Sequence, residues 1–160
     1  KQGKLAPAHY GLATQVMCQP NRIGSVLAGI QGVHAMTDVT GFALLGHLLE
    51  LCTGSALDAV LTPGNIPRLP GVAHYMSEGC IPGGSGRNFN AYGDALAPLT
   101  DEQRHLLCDP QTSGGLLLAV AAEAQREVEQ MLGAAGLPAT PIGELHATAG
   151  DTVRIRLRDA

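Results

Sequence analysis

The stretch that decides the fold is Ala35-Met36-Thr37-Asp38-Val39-Thr40-Gly41-Phe42-Ala43-Leu44-Leu45-Gly46-His47. It passes from a short apolar segment into a strongly apolar helix, and Asp38, the only acid within residues 22–49, lies at the junction. Burying a carboxylate without a partner is very costly, so we expect Asp38 to be hydrogen-bonded, paired or bound to a cation. A carboxylate flanked by the Thr37 and Thr40 hydroxyls suits Mg²⁺, which takes few protein carboxylates and shares substrate phosphates.

A structural role fits the same pattern. Asp or Thr before a helix most often caps it, by accepting a hydrogen bond from the first free backbone N–H groups. On spacing alone the cap is the commoner role for Asp38, and the cation site is the alternative. His47 follows nine residues later, within the helix. A residue so far along the helix cannot easily share a metal with Asp38, so we expect His47 to bond to a neighbour.

Two further motifs follow in the chain. Cys108-Asp109-Pro110-Gln111-Thr112-Ser113-Gly114-Gly115-Leu116-Leu117 is the second, and Ile81-Pro82-Gly83-Gly84-Ser85-Gly86-Arg87-Asn88 is a looser third. With the first stretch, they resemble the second half of the selenophosphate synthetase (selenide, water dikinase) family, in family order and over essentially the whole chain. Two positions depart from the family pattern: Ala43 stands where Gly is usual, and Ser85 where Thr is common.

The resemblance implies a fold, a reaction and a set of partners. The fold would be one domain over residues 1–160, the second domain of the aminoimidazole ribonucleotide synthetase-like fold, an α/β sandwich with a mixed sheet. The family converts ATP, selenide and water to selenophosphate, orthophosphate and AMP. Its members are homodimers, and its reactive Cys or selenocysteine, companion Lys and most metal-binding aspartates belong to the first half. This chain would then lack the N-terminal domain and hold no catalytic residue.

Candidate ligand-binding residues follow from the resemblance and the motifs. Asp38 matches a family Mg²⁺ ligand, and ATP is the expected substrate. Four hydroxyl residues are the candidates for nucleotide contacts: Thr37, Thr40, Thr112 and Ser113. Hydroxyls and backbone N–H groups in the 109–115 loop could cradle an anion, but Asp-Pro and Gly-Gly pairs are equally typical of a structural turn. Both interpretations of that loop stay open.

The glycine-rich stretch 82–93 fails the tests for a nucleotide loop. It has no G-K-[ST] ending, and no G-x-G-x-x-G lies between a strand and a helix. Arg87 could meet a phosphate through its planar guanidinium group. The composition favours a flexible surface loop instead.

Composition limits the class of protein. The net charge of −4 argues against a nucleic-acid partner, which needs a basic face. Arg154, Arg156 and Arg158 alternate along a predicted strand and are expected to form a solvated face. The four cysteines form no C-x-x-C pair, so they are interpreted as reduced thiols of a cytoplasmic protein without zinc. No segment resembles a signal peptide or is apolar enough for a membrane span.

Hydrophobic periodicity predicts interleaved helices and strands, typical of a layered α/β domain. The strand at 115–121 is almost wholly apolar and is expected to be buried on both faces. Thr100 is placed to cap the helix that follows it. Predicted helices span 6–19, 22–31, 41–52, 70–79, 101–108 and 123–132, and predicted strands span 33–36, 56–61, 115–121, 140–145 and 152–157.

Three functional hypotheses remain. The first is the C-terminal half of selenophosphate synthetase, inactive alone, which the start at Lys1 without an initiator Met supports. The second is another ATP-dependent member of the same superfamily, which the T-D-V-T-G-F and D-P-Q-T-S-G-G runs disfavour. The third is a non-catalytic domain that supplies only packing or dimer contacts.

Overall fold

A computed structural model of the protein describes residues 2–158. Within that range helices and strands interleave, as the hydrophobic periodicity predicted. The helices are α1 (Leu12–Met17), α2 (Gly24–Leu27), α3 (Ala43–Ser55), α4 (Val72–Ser77), α5 (Gly83–Tyr92), α6 (Asp101–Leu107) and α7 (Gln125–Ala134). The strands are β1 (Val33–Asp38), β2 (Leu57–Leu61), β3 (Leu116–Val120), β4 (Gly143–Ala147) and β5 (Ile155–Leu157).

The strands form two separate sheets. β1 and β3 make an antiparallel ribbon in which Asp38 lies opposite Leu116. The other sheet has the order β4-β2-β5, with β2 antiparallel to β4 and parallel to β5. The expected mixed sheet is therefore confirmed, as a sheet of three strands beside a two-stranded ribbon.

Helix α3 packs against both sheets and supplies the centre of the core. Leu45, Leu48 and Cys52 recur at helical spacing and are buried, as the apolar stripe predicted. Phe42 falls within the predicted helix 41–52, but it precedes the observed helix and is 57% exposed. The core is built from aliphatic side chains and thiols, in keeping with the scarcity of aromatic residues.

The helix ends differ in how well the sequence predicted them. Thr100 caps α6 as expected, within a reciprocal capping box formed with Gln103. The first predicted helix is reduced to a 3₁₀ turn (Pro7–His9) and the short α1, and the second to the single turn of α2. Helix α1 buries none of its residues, so no tertiary packing extends it.

The prediction that the apolar strand is buried on both faces is wrong. Only Leu117 in β3 is buried, and the rest of the strand is half-buried. Its sheet has just two strands, so little of the rest of the protein covers the second face.

The prediction of a flexible loop at 82–93 is also wrong, because α5 occupies most of that stretch. Glycine has low helix propensity, but tertiary packing overrides it here. Ser85 and Asn88, three residues apart and therefore on one side of the helix, are both buried. Gly84 approaches Pro110 so closely that a Cβ would lie 2.6 Å from the ring. Arg87 remains exposed on the other side of the helix.

The alternating arginines at the end of the chain are paired with carboxylates. Arg154 and Arg156 lie 3.5 and 3.9 Å from the buried Asp58, and Arg158 lies 3.2 Å from Glu144. The Ala149 N–H donates to Asp58, and this bond, together with the two guanidinium groups, holds the pKa of Asp58 below its usual value. These arginines therefore form an ion-paired face of the mixed sheet. That face is less exposed to solvent than the solvated face that the sequence predicted. None of the helices within residues 2–158 is both long and apolar enough to cross a membrane.

Two glycines of α5 provide a matched test of its packing. We expect Gly84→Ala to destabilise the protein by about 1–3 kcal/mol, because the new methyl group overlaps Pro110. We expect Gly86→Ala to stabilise it by about 0.5–1 kcal/mol, because a Cβ there meets open space and Ala favours the helix. Urea unfolding of both variants measures the difference. Equal, small effects at the two positions would mean that this stretch is a loop.

Candidate functional site

The end of β1 and the loop before β3 are joined by backbone hydrogen bonds. Beyond the ribbon, the Val39 N–H donates to the Gly115 carbonyl at 2.9 Å, and the Gly114 N–H donates to the Val39 carbonyl at 2.9 Å. The Gln111 N–H donates to the Thr40 carbonyl at 3.1 Å. The first and second sequence motifs therefore lie side by side in space.

Gly114 makes this approach possible. A Cβ at this position would lie 2.8 Å from the Val39 carbonyl oxygen and 2.9 Å from the Val39 side chain. Thr112 and Ser113 form the tip of the loop between the two bonded points, Thr112 exposed and Ser113 half-buried. The structural interpretation of the loop is thus correct for its backbone, and the two hydroxyl side chains remain available to a ligand.

Asn88 brings the third motif to the same place. Its buried side-chain amide donates to the Gly41 carbonyl at 2.9 Å and to the Cys108 carbonyl at 3.0 Å. This residue was quoted as part of a motif, but its role was missed because the stretch was interpreted as a surface loop. Its spacing of three from Ser85 was the available signal, because polar residues three apart share one side of a helix.

Asp38, the last residue of β1, is exposed to solvent beside the place where the three motifs meet. The expectation that it is buried is wrong. The end of a two-stranded ribbon is open to solvent, so burial does not require a partner for the carboxylate. Within residues 2–158 its side chain makes no hydrogen bond or ion pair. The cap interpretation is also wrong, since Phe42 is the N-cap of α3 and no side chain caps that end.

Strand alternation sorts the neighbours of Asp38 onto two faces. Val39 is 6% exposed and points into the core, so Asp38, its neighbour at the end of β1, faces the opposite way. Thr37 points the same way as Val39, and its hydroxyl donates to the Asp38 carbonyl at 3.3 Å. The backbone bonds of Val39 and Thr40 therefore bring the end of β1 beside the 111–115 loop, while the Thr37 hydroxyl is bonded to a backbone carbonyl.

His47 is bonded to neighbours, as expected. Its Nε2 lies 3.1 Å from Thr40 Oγ1, and its Nδ1 lies 3.2 Å from Glu50 Oε2. The ring is 8% exposed and meets the Phe42 ring edge-on at a centroid distance of 6.1 Å. His47 thereby links the start of α3 to the strand end.

Ala43 stands where the family that this chain resembles usually has glycine, and the backbone conformation there shows why. Its φ is +64°, in the left-handed region that glycine adopts freely, and its side chain is fully buried. An L-residue in this conformation costs about 1–2 kcal/mol. The left-handed backbone at residue 43, where α3 begins, therefore explains why glycine is usual at this position.

Asp109, in the second motif, belongs to the interior side of the loop. Gln111 Nε2 donates to Asp109 Oδ2 at 2.6 Å. Burial raises the pKa of Asp109, and the Gln111 bond offsets only part of that rise. Asp109 is therefore a poorer candidate than Asp38 for holding a cation.

No three metal-binding side chains come together in the part of the chain that the structure describes. Asp38 offers a single exposed carboxylate. A hard cation that keeps most of its ligands as water or phosphate oxygens is the kind that such a site suits.

The fold and the site define a layered α/β domain whose three motifs meet at one strand end. The chain belongs to the family of AIR synthase related proteins, as their C-terminal domain, whose family model matches residues 11–156. Among curated relatives it is 55% identical to the selenide, water dikinase of Yersinia pseudotuberculosis over 154 residues, covering 96% of this chain and 44% of the relative.

Two other relatives have the same name and a similar extent. The chain is 53% identical to the selenide, water dikinase of Aeromonas hydrophila over 151 residues, which cover 94% of the chain and 44% of the relative. It is 49% identical to that of Haemophilus influenzae over 158 residues, covering 99% and 46%. The chain thus spans less than half the length of the relatives it matches.

The raised pKa of Asp109 predicts a pH-dependent gain in stability on its replacement. Because its pKa is higher in the folded than in the unfolded protein, the ionised carboxylate lowers stability at neutral pH. Asp109→Asn keeps an acceptor for Gln111 and removes that charge. We expect a higher melting temperature at neutral pH, with the gain disappearing as the pH falls below the usual value of about 3.8. Thermal unfolding over a pH series measures it, and a loss of stability at neutral pH would contradict it.

Proposed function

We propose that this chain is the C-terminal half of an enzyme that makes selenophosphate, AMP and orthophosphate from selenide, ATP and water. The observation that carries the proposal is the exposed Asp38 carboxylate at the point where the three motifs meet. Relatives about half identical over nearly the whole chain are named for this reaction. The whole enzyme is then a phosphotransferase with ATP as substrate.

In this proposal Asp38 contributes a carboxylate to bound Mg²⁺. Its exposure and its lack of another partner fit that role, since binding breaks no internal contact. Mg²⁺ supplies neutralisation of the phosphate charge that shifts during phosphoryl transfer. The exposed Thr112 and half-buried Ser113 would contact the nucleotide, while Thr37, whose hydroxyl donates to a backbone carbonyl, is the weakest of the four candidates.

We further propose that the remaining groups come from an N-terminal domain of the same enzyme. The chain contains two lysines, of which Lys4 donates to the Glu78 carbonyl and Lys1 lies outside the described residues. A surface suited to a covering domain lies beside the site, where the exposed Phe42 borders a shallow groove lined by Leu49 and Tyr92. The proposed enzyme is a cytoplasmic homodimer with no nucleic-acid or membrane partner, and a non-catalytic packing or dimerisation domain is the alternative.

Asp38→Asn in the full-length protein tests the Mg²⁺ role. We expect turnover at limiting Mg²⁺ to fall at least about tenfold, because a neutral amide is a poorer ligand than a carboxylate. The Mg²⁺ concentration for half-maximal rate should rise in parallel. The melting temperature should stay unchanged, because the Asp38 side chain is exposed and makes no hydrogen bond or ion pair within residues 2–158.

The matched control is Asp94→Asn, which removes an exposed carboxylate on another segment. It should leave the Mg²⁺ dependence at the wild-type value. Unchanged turnover of Asp38→Asn at limiting Mg²⁺ would remove Asp38 from the metal site and favour the non-catalytic alternative.

The chain by itself should make no selenophosphate. In the resembled family the reactive Cys or selenocysteine and its Lys lie in the other half, and no such pair can be placed here. Phosphorus NMR of residues 1–160 with ATP, selenide and Mg²⁺ should show ATP unchanged. A selenophosphate signal above that of a protein-free sample would contradict the division of labour between two halves.

A further inference from the structure

Two side chains on one side of α5 hold the turn that follows β1. The Asn88 amide donates to the Gly41 carbonyl at 2.9 Å, and the Tyr92 hydroxyl donates to the Phe42 carbonyl at 2.9 Å. Asn88 and Tyr92 are four residues apart, which places them on the same side of the helix. Two successive backbone carbonyls of the turn are therefore bonded to the same helix.

The turn held in this way ends at a strained residue. Ala43 has a φ of +64° and a fully buried side chain, and its N–H closes the turn by donating to the Thr40 carbonyl at 3.0 Å. Ala56 has a similar φ of +52°, but it ends α3, where a left-handed residue is common. Ala43 lies where α3 begins, so helix termination does not account for it. A non-glycine residue keeps this conformation only where the contacts around it enforce it.

The same amide also holds the loop before β3. Asn88 donates to the Cys108 carbonyl at 3.0 Å, so one buried side chain bonds to residues 20 and 47 positions away. Carbonyls only accept, so the amide must present its nitrogen to both, and both of its protons are used. Gly84, one turn earlier in α5, lies against Pro110 and holds the helix to the loop at a second point.

The turn and the loop are thereby fixed at both ends. Their inner ends are held by the backbone bonds of Val39. Their outer parts lie beyond the ribbon, where the Gln111 N–H donates to the Thr40 carbonyl at 3.1 Å, and the contacts with α5 hold these parts to the rest of the domain. Thr112 and Ser113, at the tip of the loop, therefore lie on a backbone that is anchored on either side.

We propose that Asn88 and Tyr92 are positioning residues that form a clamp: they hold the 40–43 turn in its left-handed form and fix the loop before β3 before any ligand binds. The clamp keeps the candidate site in its binding conformation, so that ATP does not have to order it. The part that concerns ATP rests on the proposed function, whereas the hold on the turn and the loop does not.

Hydrogen exchange in the full-length protein tests the clamp without metal or nucleotide. Asn88→Leu keeps a branched side chain of similar size and removes both donated bonds. We expect the amides of residues 40–43 and 108–113 to exchange faster, by at least about tenfold more than those of β2, because local opening then costs less. Unchanged exchange in these two segments, or equal acceleration in β2, would overturn the proposal.

Two further variants make this measurement specific. Asn65→Leu is the matched control, since Asn65 donates to the Pro141 carbonyl at 2.8 Å, outside the three motifs. It should leave exchange in both segments at the wild-type rate. Tyr92→Phe keeps the ring and removes only the bond to the Phe42 carbonyl. Faster exchange of residues 40–43 is expected there too, and a wild-type rate would contradict the clamp even if Asn88→Leu fails to fold.

Steady-state kinetics of the full-length enzyme tests the consequence for the site. A protein whose competent conformation is only partly populated binds its substrate more weakly by that fraction, and saturating substrate restores the population. We therefore expect Asn88→Leu to raise the KM for ATP about tenfold at saturating Mg²⁺ and to leave kcat near the wild-type value. An unchanged KM, with or without a fall in kcat, would overturn the proposal.

A glycine at residue 43 should make the clamp less necessary. Glycine adopts the left-handed conformation freely, so Ala43→Gly should lower the KM for ATP of Asn88→Leu at least about threefold. Ala56→Gly relieves the same kind of backbone conformation at the other end of α3 and should give no recovery. Absence of recovery by Ala43→Gly, or equal recovery by Ala56→Gly, would show that the turn is not what Asn88 holds.

The failure of this inference can be told apart from that of the proposed function. If Asp38→Asn leaves Mg²⁺ dependence unchanged while exchange in Asn88→Leu responds as expected, the role of Asp38 is wrong and the clamp stands. If Asp38→Asn behaves as expected while the turn and the loop exchange at the wild-type rate in Asn88→Leu, the clamp is wrong and the role of Asp38 stands.

Discussion

The backbone pairing of Val39 with Gly114 and Gly115 is the constraint on which the site depends. Two hydrogen bonds of 2.9 Å continue the ribbon past its last regular pair, and they require a backbone with no Cβ at residue 114. Because Val39 is held with its side chain in the core, Asp38, the strand residue before it, faces the other way. The exposure of Asp38 follows from that single fixed residue.

Local sequence signals predicted those elements whose determinants are themselves local. The α6 cap needs only Thr100 and Gln103, three residues apart, and β2 needs only a short apolar run. Helix α5 has no local signal of this kind, because its glycines disfavour helix and its stability comes from contacts with Pro110 and with the carbonyls that Asn88 binds. Those partners lie 20 or more residues away in the sequence, and only the fold brings them close to α5.

In the candidate site, too, the sequence indicated the residue but not its surroundings. The motif around Asp38 indicated the residue, and the alternatives of burial and capping were both reasonable for an acid before an apolar helix. Neither holds, because the strand runs to Asp38 and the helix begins only at Ala43. The turn between them leads into a left-handed residue, Ala43, and sequence spacing does not reveal how many residues such a turn uses.

The partner of each hydroxyl near Asp38 is set by the fold, and no local pattern encodes it. Thr37 and Thr40 both flank Asp38, but the Thr37 hydroxyl donates to the Asp38 backbone carbonyl, whereas the Thr40 hydroxyl faces a histidine seven residues on. The carboxylate of Glu50 lies 3.2 Å from the other ring nitrogen of that histidine. These two contacts link the start of α3 to the strand end that it follows.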